Sequence, residues 1–393
     1  MRVSTTDPDP KSGVPTALAA AQADYDAGRL QRALHAARAL DADTVPTAER
    51  SEAVALRALA AFRLGELDEA ANAAQTLLDK LAGQSPGDPA RISLLAVSVV
   101  AAAELARFQQ ALVHLQQMLS VAVRGTFDDY VRARGTAATC FALLGDPWAG
   151  QRLLAELLGL FQGLPSESAL EATARNNHAA VCLLIARLAR DAADPSACSE
   201  SLDFAESSVQ RSREIAGLRG DDRLRAFADI HASEVALLRG KAVEAVGPLQ
   251  IALGRAAAAG LPAHERYLRV LLAEASLGAG EPARALLLAR EADGALHEGH
   301  ELALRIRCVQ ALQRAHEATG DAARALAQAA RARTLDQYRL YRQLQTQSRF
   351  LRTRLELEHL YRYRASASHG LSSRPGALTT MPAPLDTDPP TGF

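Results

Sequence analysis

The sequence lacks what β-rich and disulfide-linked proteins depend on. Aromatic residues make up only 4% of its 393 residues, too few for the core of a sheet protein. Its four cysteines, Cys140, Cys182, Cys198 and Cys308, lie far apart and form no C-x-x-C pair. We therefore expect them to be small apolar fillers in a reducing compartment, in preference to zinc ligands or disulfides.

Long apolar runs and an excess of charge are also missing. No stretch of 18 uninterrupted apolar residues occurs, so we expect no membrane span. Residues 1–13 are polar and contain no apolar core of a signal peptide, which predicts a cytoplasmic protein. The formal net charge is −1, which argues against an electrostatic attraction of the whole chain to nucleic acid or membrane.

Motifs of catalysis and cofactor binding are absent as well. The sequence contains no G-x-x-x-x-G-K-[ST] loop and no H-E-x-x-H helix. We therefore predict a chain that is not an enzyme and holds no cofactor. The segment His297-Glu298-Gly299-His300-Glu301 comes nearest to a metal cluster, but its glycine and its place between two helices favour a solvated turn.

What the sequence does contain is a turn that recurs about every 40 residues. A small residue ends one helical run, and five positions later a second small residue, such as Ala33 or Ala70, lies in the next. Glycine at such a turn adopts the left-handed conformation that ends a helix without strain. The turn residues are Gly28, Gly65, Ala106, Gly145, Ala186, Gly240, Gly280 and Gly320, at intervals of 37, 41, 39, 41, 54, 40 and 40.

This pattern resembles the tetratricopeptide repeat. Leu64-Gly65-Glu66-Leu67-Asp68-Glu69-Ala70 is similar to the turn of that family, and Asn176-Asn177-His178-Ala179 is similar to its first helix. The resemblance implies an all-α protein, a right-handed α-solenoid of about eight antiparallel helix pairs with a long curved trough. The repeats are longer than the usual 34 residues and lack the tryptophan of the first helix, as in sensory arrays of bacterial signalling and regulator proteins, here without an output domain.

Composition divides the chain into four parts. We predict a disordered leader at 1–13, the repeat array at 14–335, a long basic helix at 336–365 and a disordered tail at 366–393, which is rich in Ser, Pro and Thr. The interval of 54 indicates an insertion near 187–197. Two interpretations of it stay open, a tolerated surface insertion and a protrusion that contacts a partner.

The resemblance also implies a binding surface. In that family the first helix of each pair lines the concave groove, and an asparagine at the position of Asn177 bonds the backbone of a bound peptide; bridging between helices is the alternative role of Asn176 and Asn177. Arg132 and Asn177 could clamp an extended or acidic segment. The predicted groove residues are Tyr25, Arg63, Arg132, Asn176, Asn177, His231, Glu234, Glu274, Arg307, Gln310 and Arg314.

These observations predict a non-catalytic scaffold or regulatory adaptor for a protein or peptide partner, in bacterial signalling. Tyr341, Leu344, Leu351 and Leu355 would form a partner or homodimer surface on the long helix. The alternative is RNA binding through the arginines and tyrosines of that helix, although the net charge does not favour nucleic acid. A third hypothesis is a sensory module that has lost its output domain and recognises a peptide signal.

Overall fold

The chain folds into helices throughout its described part. The computed structural model describes residues 17–41, 47–81, 89–123, 125–162 and 168–372; the predicted leader and residues 373–393 of the predicted tail lie outside them. These residues contain no strand, which confirms the all-α class. The helices, α1 to α16 in chain order, are Ala17–Asp26, Leu30–Leu40, Thr47–Leu64, Leu67–Lys80, Pro89–Glu104, Phe108–Ala122, Phe127–Leu143, Pro147–Gly159, Ala169–Asp191, Pro195–Arg219, Asp222–Leu238, Ala242–Ala258, Pro262–Gly278, Pro282–Gly294, Leu302–Ala318 and Ala322–Ser372.

The eight turns between paired helices each contain one residue in the left-handed conformation. Seven of these are the residues predicted from the sequence, and the fifth is not. Ala186 is buried inside α9, and the left-handed residue is Ala193, with φ of 57°. The long interval therefore comes from two lengthened helices, α9 with 23 residues and α10 with 25, because the α9 sequence contains no helix breaker before Asp194-Pro195.

The helices form two layers. Each odd-numbered helix from α1 to α15 packs against the next odd-numbered helix as well as against its sequence neighbours. The even-numbered helices up to α14 pack against those neighbours and not against one another, and α6 is also covered by α16. The odd-numbered helices therefore make the inner layer, and we call the face that they present the inner surface. Burial agrees with this arrangement, since large apolar side chains such as Val243, Ile251 and Leu287 are exposed on even-numbered helices.

The array closes on itself, where the sequence predicted an open trough. The guanidinium of Arg266 on α13 donates to the carbonyl oxygens of Leu64 (3.2 Å) and Gly65 (3.4 Å) at the end of α3. The amide of Leu67 donates to the carbonyl of Gly299, between α14 and α15, at 3.1 Å. Gly65 allows this approach, because a Cβ there would lie 2.8 Å from that of Ala263.

The last helix, α16, runs back over the array. It continues to Ser372, beyond the predicted end at 365, because neither Gly nor Pro occurs before Gly370. Its inward side packs on the third and fourth helix pairs. The rings of Phe350 and Phe141 meet edge to face at 5.0 Å, and Gln343 donates to the carbonyl of Leu143 at 2.8 Å.

The opposite side of α16 faces solvent. The four side chains predicted as a partner or dimer surface, Tyr341, Leu344, Leu351 and Leu355, are each more than half exposed. They lie on the side away from the buried residues Thr346 and Phe350, so the docking of α16 leaves them accessible. None of the described helices combines the length and apolar character that crossing a bilayer requires.

Candidate functional site

The inner surface carries charges at a fixed place in each helix pair of the second half. Arg187, Glu234, Glu274 and Arg314 each stand six residues before the left-handed residue of their own turn. This equal spacing brings them to the same height on α9, α11, α13 and α15. Residues seven positions earlier share the same helix face, which adds Arg307 on α15.

These residues form one connected network, which we call the charge ladder: Arg187, Glu234, Glu274, Arg307 and Arg314. Glu234 accepts from both Arg187 and Arg307. Arg307 also binds the carboxylate of Glu274 with two nitrogens, Nε to Oε1 being 2.8 Å. Arg314 reaches the same carboxylate at 3.2 Å.

Burial makes the ladder a strong electrostatic unit. Glu234 is only 2% exposed, and burial alone would raise its pKa, but Arg187 and Arg307 outweigh burial and hold the pKa at about 2. The hydroxyl of Tyr267 donates to Glu234 at 3.2 Å, and burial together with this carboxylate raises the pKa of Tyr267 to about 12. The ladder residues therefore satisfy one another, so four predicted groove residues bind the protein itself.

A second cluster has the opposite character, and we call it the arginine patch: Tyr25, Arg63, Arg132 and Arg223. The guanidinium carbon of Arg63 lies 4.2 Å from the centre of the Tyr25 ring, a cation–π contact. Burial raises the pKa of Tyr25, and the charges of Arg63, Arg223 and Arg132 oppose that rise. These side chains, from α3, α11 and α7, thus act on one ring of α1.

Little negative charge neutralises the patch. Among the described residues, no carboxylate forms an ion pair or hydrogen bond with the guanidinium of Arg63, Arg132 or Arg223. Burial and the charge of Arg63 lower the pKa of Arg223, while Asp221 partly compensates. Among the described residues, Asp26 is the one carboxylate whose charge raises the pKa of Tyr25.

Two histidines extend this part of the inner surface. His264 is 3% exposed, and neither of its ring nitrogens has a hydrogen-bond partner within the described chain. Its ring meets that of Phe227 at 4.3 Å. Burial lowers the pKa of His264 to about 3 and that of the predicted groove residue His231 to about 4, so both are neutral at neutral pH and the positive charge comes from the arginines.

The remaining predicted groove residues fall into two groups. Asn176 is buried and donates to the carbonyl of Leu224 at 3.3 Å, which is the bridging role between helices. Asn177 is half-buried on the adjacent position, and its side-chain nitrogen lies beside Gly135 of α7. Gln310 is exposed on α15. Asn177, Gln310, Arg63 and Arg132 are therefore the predicted groove residues whose polar side chains remain open to a ligand.

The histidine segment between α14 and α15 is part of the closure, where the sequence predicted a solvated turn. One ligand atom each from Glu66, His297 and His300 lies within 4.8 Å of the other two, and His300 is 2% exposed. Yet Nδ1 of His297 accepts from the amide of Gly299 at 3.0 Å, and Nδ1 of His300 accepts from the amide of His297 at 3.1 Å. A ring whose Nδ1 accepts a hydrogen bond carries its proton on Nε2. Both Nε2 atoms face Glu66, at 3.6 Å in His297 and 3.8 Å in His300, which suits a polar contact better than metal coordination.

Comparison with known proteins identifies the fold. No protein-family model and no curated protein matches the chain. Among solved structures it is similar to a Rap protein complexed with Competence and Sporulation Factor, with a TM-score of 0.60 and 11% identity over 86% of this chain and 90% of that one. It also matches a tetratricopeptide repeat protein from Parabacteroides merdae, with a TM-score of 0.43 and 14% identity over 76% of this chain and 97% of that one. A further match is the apo form of RapI, with a TM-score of 0.39 and 10% identity over 87% of this chain and 98% of that one. The chain is an α-solenoid of tetratricopeptide-repeat type, as its sequence predicted.

Three residues of these two clusters and their surroundings were not predicted from the sequence: Arg187, Tyr267 and Arg223. Arg187 was missed because the fifth turn was placed at Ala186; counting back from Ala193 would have found it at the position of Glu234 and Glu274. Tyr267 stands seven residues before Glu274, so the same count would have included it. Arg223 belongs to the start of α11, and nothing in the spacing marks it as a neighbour of Tyr25.

Proposed function

We propose that this chain is a non-catalytic scaffold that binds a peptide or an extended segment of a partner protein on its inner surface. The observation that carries the proposal is the arginine patch, where three guanidinium groups converge without an ion-paired carboxylate. Such groups form strong, charge-assisted hydrogen bonds with carboxylates. The segment that binds there is therefore acidic, and the open amide of Asn177 is available to bond its backbone.

The comparison with the Rap protein supports a ligand of this kind. That protein is described in complex with Competence and Sporulation Factor, and it shares the solenoid architecture with this chain. By this analogy we place the chain in bacterial signalling. The charge ladder supports binding at the patch, because its charges neutralise one another, whereas the patch arginines have no ion-pair partner among the described residues.

The test compares three forms of the chain as bait for partners from its native lysate. One is the wild type, one is Arg63→Ala with Arg132→Ala, and the matched control is Arg225→Ala with Arg290→Ala, which removes two exposed arginines outside the patch. We expect the wild type and the control to retain the same partners and the patch variant to lose them. Identical partner sets for all three forms would refute binding at the patch, provided that circular dichroism shows equal folding.

Homodimerisation through α16 is a separate part of the proposal. The exposed stripe Tyr341, Leu344, Leu351 and Leu355 is spaced by three, seven and four residues, as in a two-helix seam. Light scattering of the wild type and of Leu344→Asp with Leu351→Asp tests it. A dimer mass that falls to the monomer mass in the variant supports the proposal, and a monomer mass for both forms contradicts it.

A further inference from the structure

A cleft between α6 and α16 stands apart from the inner surface. It has a volume of about 590 Å³, within the range of sites for small molecules. Its walls come from distant parts of the sequence, the start of α6 and the middle of α16, so it exists only because α16 docks back on the array. We call it the α16 cleft; its polar lining consists of Arg107, Gln109, Gln110, Tyr338, Arg342 and Arg349.

The cleft is strongly cationic. Three of its lining residues are arginines and none is acidic. Arg342 is held in place because its Nε donates to the carbonyl of Ala106 at 3.2 Å, which leaves its terminal nitrogens available. The guanidinium of Arg349 has no hydrogen bond or ion pair with another described residue. Arg107 is paired with Asp68 at the edge, so the charge of two guanidinium groups stays uncompensated.

The other lining residues offer a flat surface and neutral polar groups. Tyr338 is 45% exposed, and the guanidinium carbon of Arg342 lies 6.0 Å from its ring centre. Gln110 donates to Gln75 at 3.1 Å, which keeps its own oxygen free to accept. Gln109 is exposed beside it. An anion alone would use only the arginines; a ligand that also carries a planar, hydrogen-bonding group would use every kind of side chain present.

From this lining we infer that the α16 cleft binds a small phosphorylated compound of nucleotide type, with its phosphate on Arg342 and Arg349 and its base against Tyr338. The single aromatic residue of the lining favours one nucleotide over an extended strand, which would require a longer track of stacking residues and charges. Bare metal cations are repelled by the arginines. The site is distinct from the arginine patch and does not depend on the proposed partner.

Isothermal titration of the full chain tests the inference with four probes: ADP, GDP, inorganic pyrophosphate and a single-stranded RNA of about 12 nucleotides. We expect ADP or GDP to bind more tightly than pyrophosphate, because only the nucleotides contact Tyr338. Arg349→Ala should weaken nucleotide binding about 10-fold or more, since a hydrogen bond to a charged group is lost. Arg333→Ala, an exposed arginine of α16 outside the cleft, is the matched control and should bind as the wild type does.

Tyr338→Leu separates the two parts of the ligand, because it should weaken nucleotide binding and leave pyrophosphate binding unchanged. Several results would overturn the inference: no binding of either nucleotide, equal binding of nucleotide and pyrophosphate, binding of RNA alone, or equal effects of Arg349→Ala and Arg333→Ala. Arg349 has no partner to leave unpaired, so its substitution is not expected to unfold the chain, and a thermal melt by circular dichroism verifies this.

Discussion

Replacing Glu234 by glutamine tests whether the charge ladder stabilises the fold. The carboxylate is buried between Arg187 and Arg307, so the substitution leaves Arg187 without its ion-pair partner. Removing one member of a buried ion pair typically costs about 3–5 kcal/mol. The pKa gives a similar figure: a fall from 4.5 to about 2 corresponds to about 3 kcal/mol at neutral pH.

The sign of the pH dependence follows from the lowered pKa. The stabilisation by Glu234 is present above the unfolded pKa near 4.5 and is lost as the pH falls towards about 2. Urea unfolding followed by circular dichroism should therefore show that Glu234→Gln has a lower free energy of unfolding than the wild type. The difference should be about 3 kcal/mol at pH 7 and about 1 kcal/mol at pH 3.

Glu244→Gln, on the exposed side of α12, is the control for that experiment and should differ from the wild type by less than about 0.5 kcal/mol. A loss in Glu234→Gln below about 1 kcal/mol, or one of the same size at both pH values, would refute the claim that the ladder is a buried, ionised network.

Three further predictions concern two of the turns, a buried carboxyl group of α5 and the last helix. Ala193→Gly should raise the free energy of unfolding by about 1 kcal/mol, because the left-handed backbone at residue 193 disfavours a Cβ. Gly240→Ala should lower the free energy of unfolding by a similar amount. Thermal melts measure both changes, and shifts of equal sign would contradict the reasoning. Burial and the charge of Glu301 raise the pKa of Glu104 to about 8, so the wild type loses stability as the pH rises from 4.5 through 8. Glu104→Gln should therefore be more stable than the wild type by at least about 1 kcal/mol at pH 8, but not at pH 4. Equal urea midpoints of the two forms at pH 8 would contradict this prediction. Phe350→Ala should cost about 3 kcal/mol in urea unfolding. The control Gln347→Ala, at an exposed position of α16 outside the proposed dimer stripe, should cost less than about 0.5 kcal/mol. Equal losses would show that α16 is not held by Phe350.

The period of the turns was enough to predict the fold class, because each left-handed residue ends a helix locally. Seven of the eight turns needed only a glycine, or an alanine at the right interval. The fifth failed because Ala193 and Ala186 are the same residue type in an alanine-rich segment, and local propensity does not distinguish them. Their difference depends on how far α9 continues along its neighbours, which is a property of packing.

The site was partly accessible to the same reasoning. Glu234 and Glu274 were found by counting from the turns, but their pairing with Arg307 depends on neighbouring helices being in register. Tyr25 and Arg223 are almost 200 residues apart, and they meet only because the array curves through a full turn. The sequence pattern of a single repeat does not predict the curvature of the whole array. The docking of α16 on the third and fourth helix pairs depends on that curvature, so it could not be predicted either.

The contact between Gly65 and Arg266 has a consequence for how such a chain could evolve. An open solenoid tolerates duplication or deletion of a unit, because each unit touches only its neighbours. Here the second unit also meets the seventh, and Leu302 and Ile306 of α15 share a core with residues of α2 and α4. Gaining or losing one repeat would misalign both contacts at once, so the number of units in this protein is fixed by geometry in the way that the number of strands is fixed in a closed barrel.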